Sequence, residues 1–111
     1  MTATSGINGL FSTALSGLNA AGAVINTAAS NTANAETLGY KAGRVDLASA
    51  PSGDGVEVAG MTRGGDVDLA NEVISLRQGQ LLYQANAAVV RVGDRLTGTL
   101  LDMFDTRRRH T

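Results

Sequence analysis

Ser30-Asn31-Thr32-Ala33-Asn34-Ala35-Glu36-Thr37-Leu38-Gly39-Tyr40-Lys41 is the stretch on which the fold turns, because an apolar helical pattern leads into it and is broken by it. Asn31 and Asn34 compete with helical hydrogen bonding through their side chains, and bonding to local backbone explains them better than a small-molecule ligand does. Gly39 can take the positive φ that turns a chain sharply. The helix should stop here, at a corner.

Upstream, Ile7, Phe11, Ala14, Leu18, Ala21, Ile25, Ala28 and Thr32 recur at alternating spacings of four and three, a seam of the coiled-coil type. Leu10, Leu15 and Val24 widen it, and Ser5 can cap the start. The remaining positions are mostly Ala, Asn, Ser and Thr, a small, uncharged surface that can still be packed against. Gly9, Gly17 and Gly22 lie inside the pattern, each costing about 1 kcal/mol of helix stability relative to Ala, so the helix alone is expected to be marginal.

Downstream, Val45 and Leu47 alternate with polar neighbours, Pro51-Ser52-Gly53-Asp54-Gly55 reads as a turn, and Val56-Glu57-Val58 alternates again. This predicts a small β-hairpin, with a flexible link after it at Gly60, Gly64 and Gly65. From Asp68, a good N-cap with Glu72 in the first turn, a helical pattern runs to about Phe104. Leu69, Val73, Leu76, Tyr83, Ala87, Val90, Leu101 and Phe104 fall on one seven-residue repeat, and Leu82, Ala85, Val89, Val92, Leu96 and Met103 form a second seam. At 1.5 Å per residue the two helices should reach roughly 36 Å and roughly 55 Å. One intramolecular partner cannot cover both seams of the longer one, so other helices are expected to, most economically copies or relatives of the same chain.

The expected fold class is mainly α: two long terminal helices pairing antiparallel in coiled-coil fashion, with a short irregular or β-hairpin middle. Residues 1–43 carry the first helix and corner, 44–65 the short middle and 66–111 the long helix and basic tail. With 111 residues, 43% apolar but only 4% aromatic, and 14 Gly, the chain is one domain at most and has few side chains able to build a thick core. The formal net charge of -1 gives no bulk attraction to nucleic acid or an anionic membrane. The chain has no Cys to form disulfides, and no stretch nears the roughly 18 apolar residues of a membrane span.

No grouping of residues points to catalysis, and neither a metal nor a cofactor is expected. His110 is the single histidine and sits in the tail. A helix start accounts for Asp66 and Asp68 better than a pair of catalytic carboxylates. Gly53-Asp54-Gly55 and Gly64-Gly65 lack the Lys that comes next in a phosphate loop. Arg107, Arg108 and Arg109 are favourable at a helix C-terminus without any nucleic-acid partner. Tyr83, with Asn86 three residues on, reads as a packed ring at an interface edge.

The residues resemble the flagellar basal-body rod and hook family of axial proteins. The family's first signature, an Ala/Leu-rich helix ending in A-x-N-x-A-N-x-x-T-x-G-Y-K, is matched by Ala29, Asn31, Ala33, Asn34, Thr37, Gly39, Tyr40 and Lys41. The second, a C-terminal helix with V-x-L-x-x-E, then Y-x-A-N and T-L-L, is matched by Val67, Leu69, Glu72, Tyr83, Ala85, Asn86, Thr99, Leu100 and Leu101. Together they span roughly residues 10 to 47 and 64 to 104. Relatives carry a longer stretch between the signatures, and only about two dozen residues here indicate the short proximal-rod type.

The resemblance implies a structural subunit of the rod, exported without a cleaved signal through the flagellar export apparatus and polymerised by its terminal helices into an axial tube crossing the periplasm. Its partners would be copies of itself and other rod proteins, with no nucleic acid and no membrane insertion. The candidate assembly interface is Ile7, Phe11, Leu18, Ile25, Leu69, Val73, Leu76, Tyr83, Val90, Leu96 and Leu101. The corner residues are Asn31, Asn34, Thr37, Gly39, Tyr40 and Lys41. An alternative with the same seams is a small helical adaptor or export-associated chaperone binding one partner.

Overall fold

A computed structural model describes residues 2–51 and 54–109, and the side chains of 6–51 and 54–108. His110 and the Ser52-Gly53 pair of the expected turn lie outside these residues. The order is α1 (Thr2–Ala33), β1 (Gly43–Ser49), β2 (Val56–Arg63) and α2 (Leu69–Arg109). The mainly helical architecture expected from the sequence is present, with a two-stranded antiparallel hairpin between the helices.

Both helices outrun the sequence reading. α1 has 32 residues and α2 has 41, or about 48 Å and about 62 Å at the standard rise. Ser5 is therefore inside α1 and does not cap it, since nothing in Thr2-Ala3-Thr4 breaks a helix. At the far end, basic residues suit the last turns of α2 and carry it past Phe104 to Arg109. Asp68 caps α2 as expected: its Oδ1 accepts from the backbone N–H of Ala70 at 3.0 Å and of Asn71 at 3.4 Å. Such a cap stabilises a helix by about 1 kcal/mol.

The helices run antiparallel. Asn31 meets Glu72, Ile25 meets Gly79, Gly17 meets Asn86 and Phe11 meets Gly93. On α2 the contact line is thus Glu72, Gly79, Asn86 and Gly93, spaced by seven residues. On α1 the central row is Ala14, Ala21 and Ala28, all nearly inaccessible to solvent, beside Gly17 and Asn31. Small residues let the backbones approach so closely that a Cβ would not fit at three positions. At Gly17 it would collide with the Asn86 side-chain amide, and it would lie 2.7 Å from Ile25 Cγ1 at Gly79 and 2.7 Å from Phe11 Cε1 at Gly93.

This corrects where the helix seam lies. The apolar rows read from the sequence do not form the contact line of α2; they flank it. Taking Glu72 as origin, rows four and one residues on lie about 40° and 100° to one side, and rows three and six residues on about 60° and 120° to the other. The first pair carries Leu69, Leu76, Tyr83, Val90 and Phe104 with Val73 and Leu101; the second carries Leu82, Val89, Leu96 and Met103 with Val92. Choosing seams by apolarity passed over a line made of glycine, amide and carboxylate.

The hairpin lies along α1, and neither strand packs on α2 among the described residues. Val45 pairs across from Met61, and Leu47 from Val58, so the apolar residues share one face. Register shifts between Asp46 and Leu47, which leaves Ala59 as the extra residue of a bulge. The hairpin's far end is pinned where Val56 N–H donates to Ser16 Oγ at 3.1 Å. At its base, Ala42 N–H donates to Gly65 O and Gly64 N–H to Ala42 O, each at 3.1 Å. The glycines expected to form a link are instead part of the hairpin: Gly60 is in β2, and Gly64 and Gly65 extend its hydrogen bonding. The whole molecule is an elongated body of 72 × 25 × 15 Å with α1 between α2 and the hairpin.

Candidate functional site

Three elements meet at the corner, and Asn31 joins them. Its side chain is 1% exposed. The Nδ2 group donates to Gly43 O at 2.9 Å and to both Glu72 carboxylate oxygens, at 3.1 and 3.0 Å. Its Oδ1 accepts from Gly43 N–H at 2.8 Å and from the Tyr40 hydroxyl at 3.0 Å. An amide side chain offers two donor hydrogens and two acceptor lone pairs. All are used, so one residue ties the end of α1 to the start of β1 and the first turn of α2. The sequence reading of Asn31 as a local backbone cap is corrected here: only Asn34 does that, donating from Nδ2 to Ser30 O at 2.9 Å.

The rest of the corner sets the chain path. Asn34 N–H donates to Ser30 O at 3.1 Å, ending the helix, and Thr37 N–H to Asn34 O at 3.0 Å, bending the chain beyond it. Thr37 Oγ1 donates to Asn34 Oδ1 at 3.1 Å, and Gly39 holds a φ of 78°. That left-handed conformation delivers Tyr40 back beneath the helix end. Arg63 of β2 lies 5.6 Å from the centre of the Tyr40 ring and donates to Lys41 O at 3.2 Å. Ser30's hydroxyl, and then Arg63, hold the Tyr40 phenol below its ordinary pKa. Lys41 is exposed, and Leu38 at the tip is fully exposed.

Among the expected interface residues, Leu69, Val73, Tyr83, Leu96 and Leu101 are exposed, by 47 to 64%. Ile7, Phe11, Leu18, Ile25, Leu76 and Val90 are half-buried, Phe11 and Ile25 because they fill the gaps above Gly93 and Gly79. Glu72, Gly43, Gly17 and Gly79 were missed as geometry-setting residues. The seven-residue spacing of Glu72, Gly79, Asn86 and Gly93 was the available signal for the contact line. No signal local to Glu72 distinguishes an Asn31 partner from an ordinary acidic residue of a first turn.

The described residues contain no group of three or more His, Cys, Asp or Glu able to hold a metal, and no helix long and apolar enough to cross a membrane. Every buried side-chain nitrogen or oxygen among them has a hydrogen-bond partner. At the corner, polar side chains are spent on geometry, and along α2 apolar side chains face outward. Residues 11–41 match the family model described as "Flagella basal body rod protein", which supports the flagellar basal-body rod protein family for this chain. That family is structural and not an enzyme family. The matched segment holds most of α1 and the corner motif through Lys41; Glu72 lies outside it. No curated protein matches the chain.

Proposed function

We propose that the chain is a structural subunit of the bacterial flagellar rod, polymerising through α1 and α2 into the axial tube that crosses the periplasm. The observation that carries this reading is the pair of exposed apolar flanks on α2, either side of its line of contact with α1. α1 contains no Asp, Glu, Lys or Arg, so it can be surrounded by neighbouring helices without stripping water from charges. The corner, tied by Asn31, holds the hairpin against α1 and leaves α2 free to meet neighbours on both flanks. Other rod proteins and copies of the chain are the partners, reached through the flagellar export apparatus. Helices weakened by glycine and packed on alanine suit a chain that orders fully on joining its assembly.

The test uses Tyr83→Asp and Leu96→Asp, one on each flank and both half-exposed, so helix content of the isolated chain should be unchanged by circular dichroism. In cells whose own copy is replaced, rods should fail to form and swimming should stop. Normal rods in both variants would overturn the reading. A stable dimer whose mass is independent of concentration would favour the adaptor or chaperone alternative.

A further inference from the structure

We propose that the side of α2 turned away from α1 in one copy lies across the outer face of the hairpin of a second copy. This rests on the reading of the chain as an assembly subunit and names one contact within it, separate from the two flanks. Gly43 marks the inner face of the hairpin, since a Cβ there would lie 3.3 Å from Thr27 Cγ2 of α1, and Val45 and Met61 share that side. The outer face alternates with it: Asp46 pairs with Gly60, and Ala48 with Glu57. A Cβ at Gly60 would meet nothing within 4 Å. The outer face therefore has an opening for a side chain, with Asp46 beside it and Glu57 close by on the next pair. Arg44 shares the face, and the two carboxylates against it leave the face net negative.

The far side of α2 has the complementary form. Arg77 and Leu81, one turn apart, lie about 140° and about 180° around the helix from Glu72, whose row faces α1. Leu81 is 66% exposed, more than any other large apolar residue described in α2. Between Glu72 and Asp94 the helix carries Arg77 and Arg91 and no acidic residue, so this stretch is positive where the hairpin's outer face is negative. Arg77, Asp46 and Glu57 form no ion pair among the described residues. Within one chain the two surfaces do not meet, because neither strand packs on α2. Between copies, Leu81 fills the opening at Gly60 and Arg77 reaches Asp46 and Glu57. The surfaces belong to different elements, so the contact is heterologous: each copy gives its helix to one neighbour and its hairpin to another.

The chain has no cysteine, which makes a crosslinking test clean, and circular dichroism checks that each variant keeps its helix content. Under mild oxidation the full-length double variant Gly60→Cys/Leu81→Cys should give a ladder of dimers, trimers and longer species. Gly60→Cys and Leu81→Cys alone should give a dimer only when mixed with each other. Separately, Arg77→Glu and Glu57→Arg should each raise the concentration needed for self-association about threefold to tenfold in sedimentation, and the two combined should need less than either alone. The contact is overturned if either single-cysteine variant dimerises alone, if the double variant gives no ladder, or if the charge swap does not rescue. A parent chain that stays monomeric at its highest soluble concentration overturns it too. Normal rods with Arg77→Glu, where Tyr83→Asp and Leu96→Asp abolish them, would remove this contact and leave the rod reading standing; absence of the parent chain from isolated basal bodies would remove the rod reading itself.

Discussion

Replacing Asn31 with Asp tests whether one amide ties three elements together. The variant keeps an acceptor for Gly43 N–H and the Tyr40 hydroxyl but loses both donors, which reach Gly43 O at 2.9 Å and Glu72 at 3.0 and 3.1 Å. A lost hydrogen bond to a charged group costs about 1.5–3 kcal/mol, and a lost neutral one about 1 kcal/mol. A second carboxylate about 3–4 Å from Glu72 adds repulsion of up to about 4 kcal/mol at an effective dielectric of about 20. The sum is roughly 3–8 kcal/mol at neutral pH, a large fraction of the stability of a small domain.

The assay is urea unfolding monitored by far-ultraviolet circular dichroism. At a slope of about 1–3 kcal/mol/M, the midpoint should fall by about 2 M or the transition should vanish. Glu72→Gln added to Asn31→Asp removes the repulsion and returns a donor, so it should recover at least about 2 kcal/mol. The single variant also acquires a pH dependence. Burial and the Glu72 charge raise the folded pKa of the introduced carboxyl above its unfolded value of about 3.9, so its protonated form contributes stability that is full below that value and lost as pH rises through the folded pKa. A variant within about 0.5 kcal/mol of the parent, or no rescue by Glu72→Gln, would refute the role given to the network.

The glycines make opposite predictions by position. Gly79→Ala puts a Cβ 2.7 Å from Ile25 Cγ1 and should destabilise by about 1–3 kcal/mol in the same unfolding assay. Gly22→Ala meets nothing within 4 Å and should instead stabilise by up to about 1 kcal/mol. Gly39→Ala, at a φ of 78°, should cost about 1 kcal/mol or more by the same measurement. Asp68→Ala removes the cap of α2 and should lower stability by about 1 kcal/mol, with hydrogen exchange accelerated at Ala70 and Asn71 before the rest of the helix.

Much of this fold is legible because its main signals are local. Gly39 and Asn34 announce the corner through backbone chemistry within a few residues of themselves, and Asp68 announces the start of α2 in the same way. The alternation at Val45, Leu47, Val56 and Val58 announces the hairpin. What was not legible is pairing across distance. Asn31 looks like any amide near a helix end until Glu72, 41 residues away in sequence, is placed beside it. The contact line of α2 escaped for a different reason: apolar periodicity finds where a helix could be covered, and here the closest approach is made by glycines and Asn86. The apolar rows on either side mark surface that α1 leaves uncovered.

Whether that uncovered surface is an assembly interface is tested most directly by a density map of isolated basal bodies at side-chain resolution. The expected map holds this chain among the rod subunits, with Tyr83 on one flank of α2 and Leu96 on the other packed against helices of neighbouring subunits, and the Asn31 to Glu72 contact intact. A map in which the chain is absent from the rod, or in which both flanks of α2 face solvent, would contradict it.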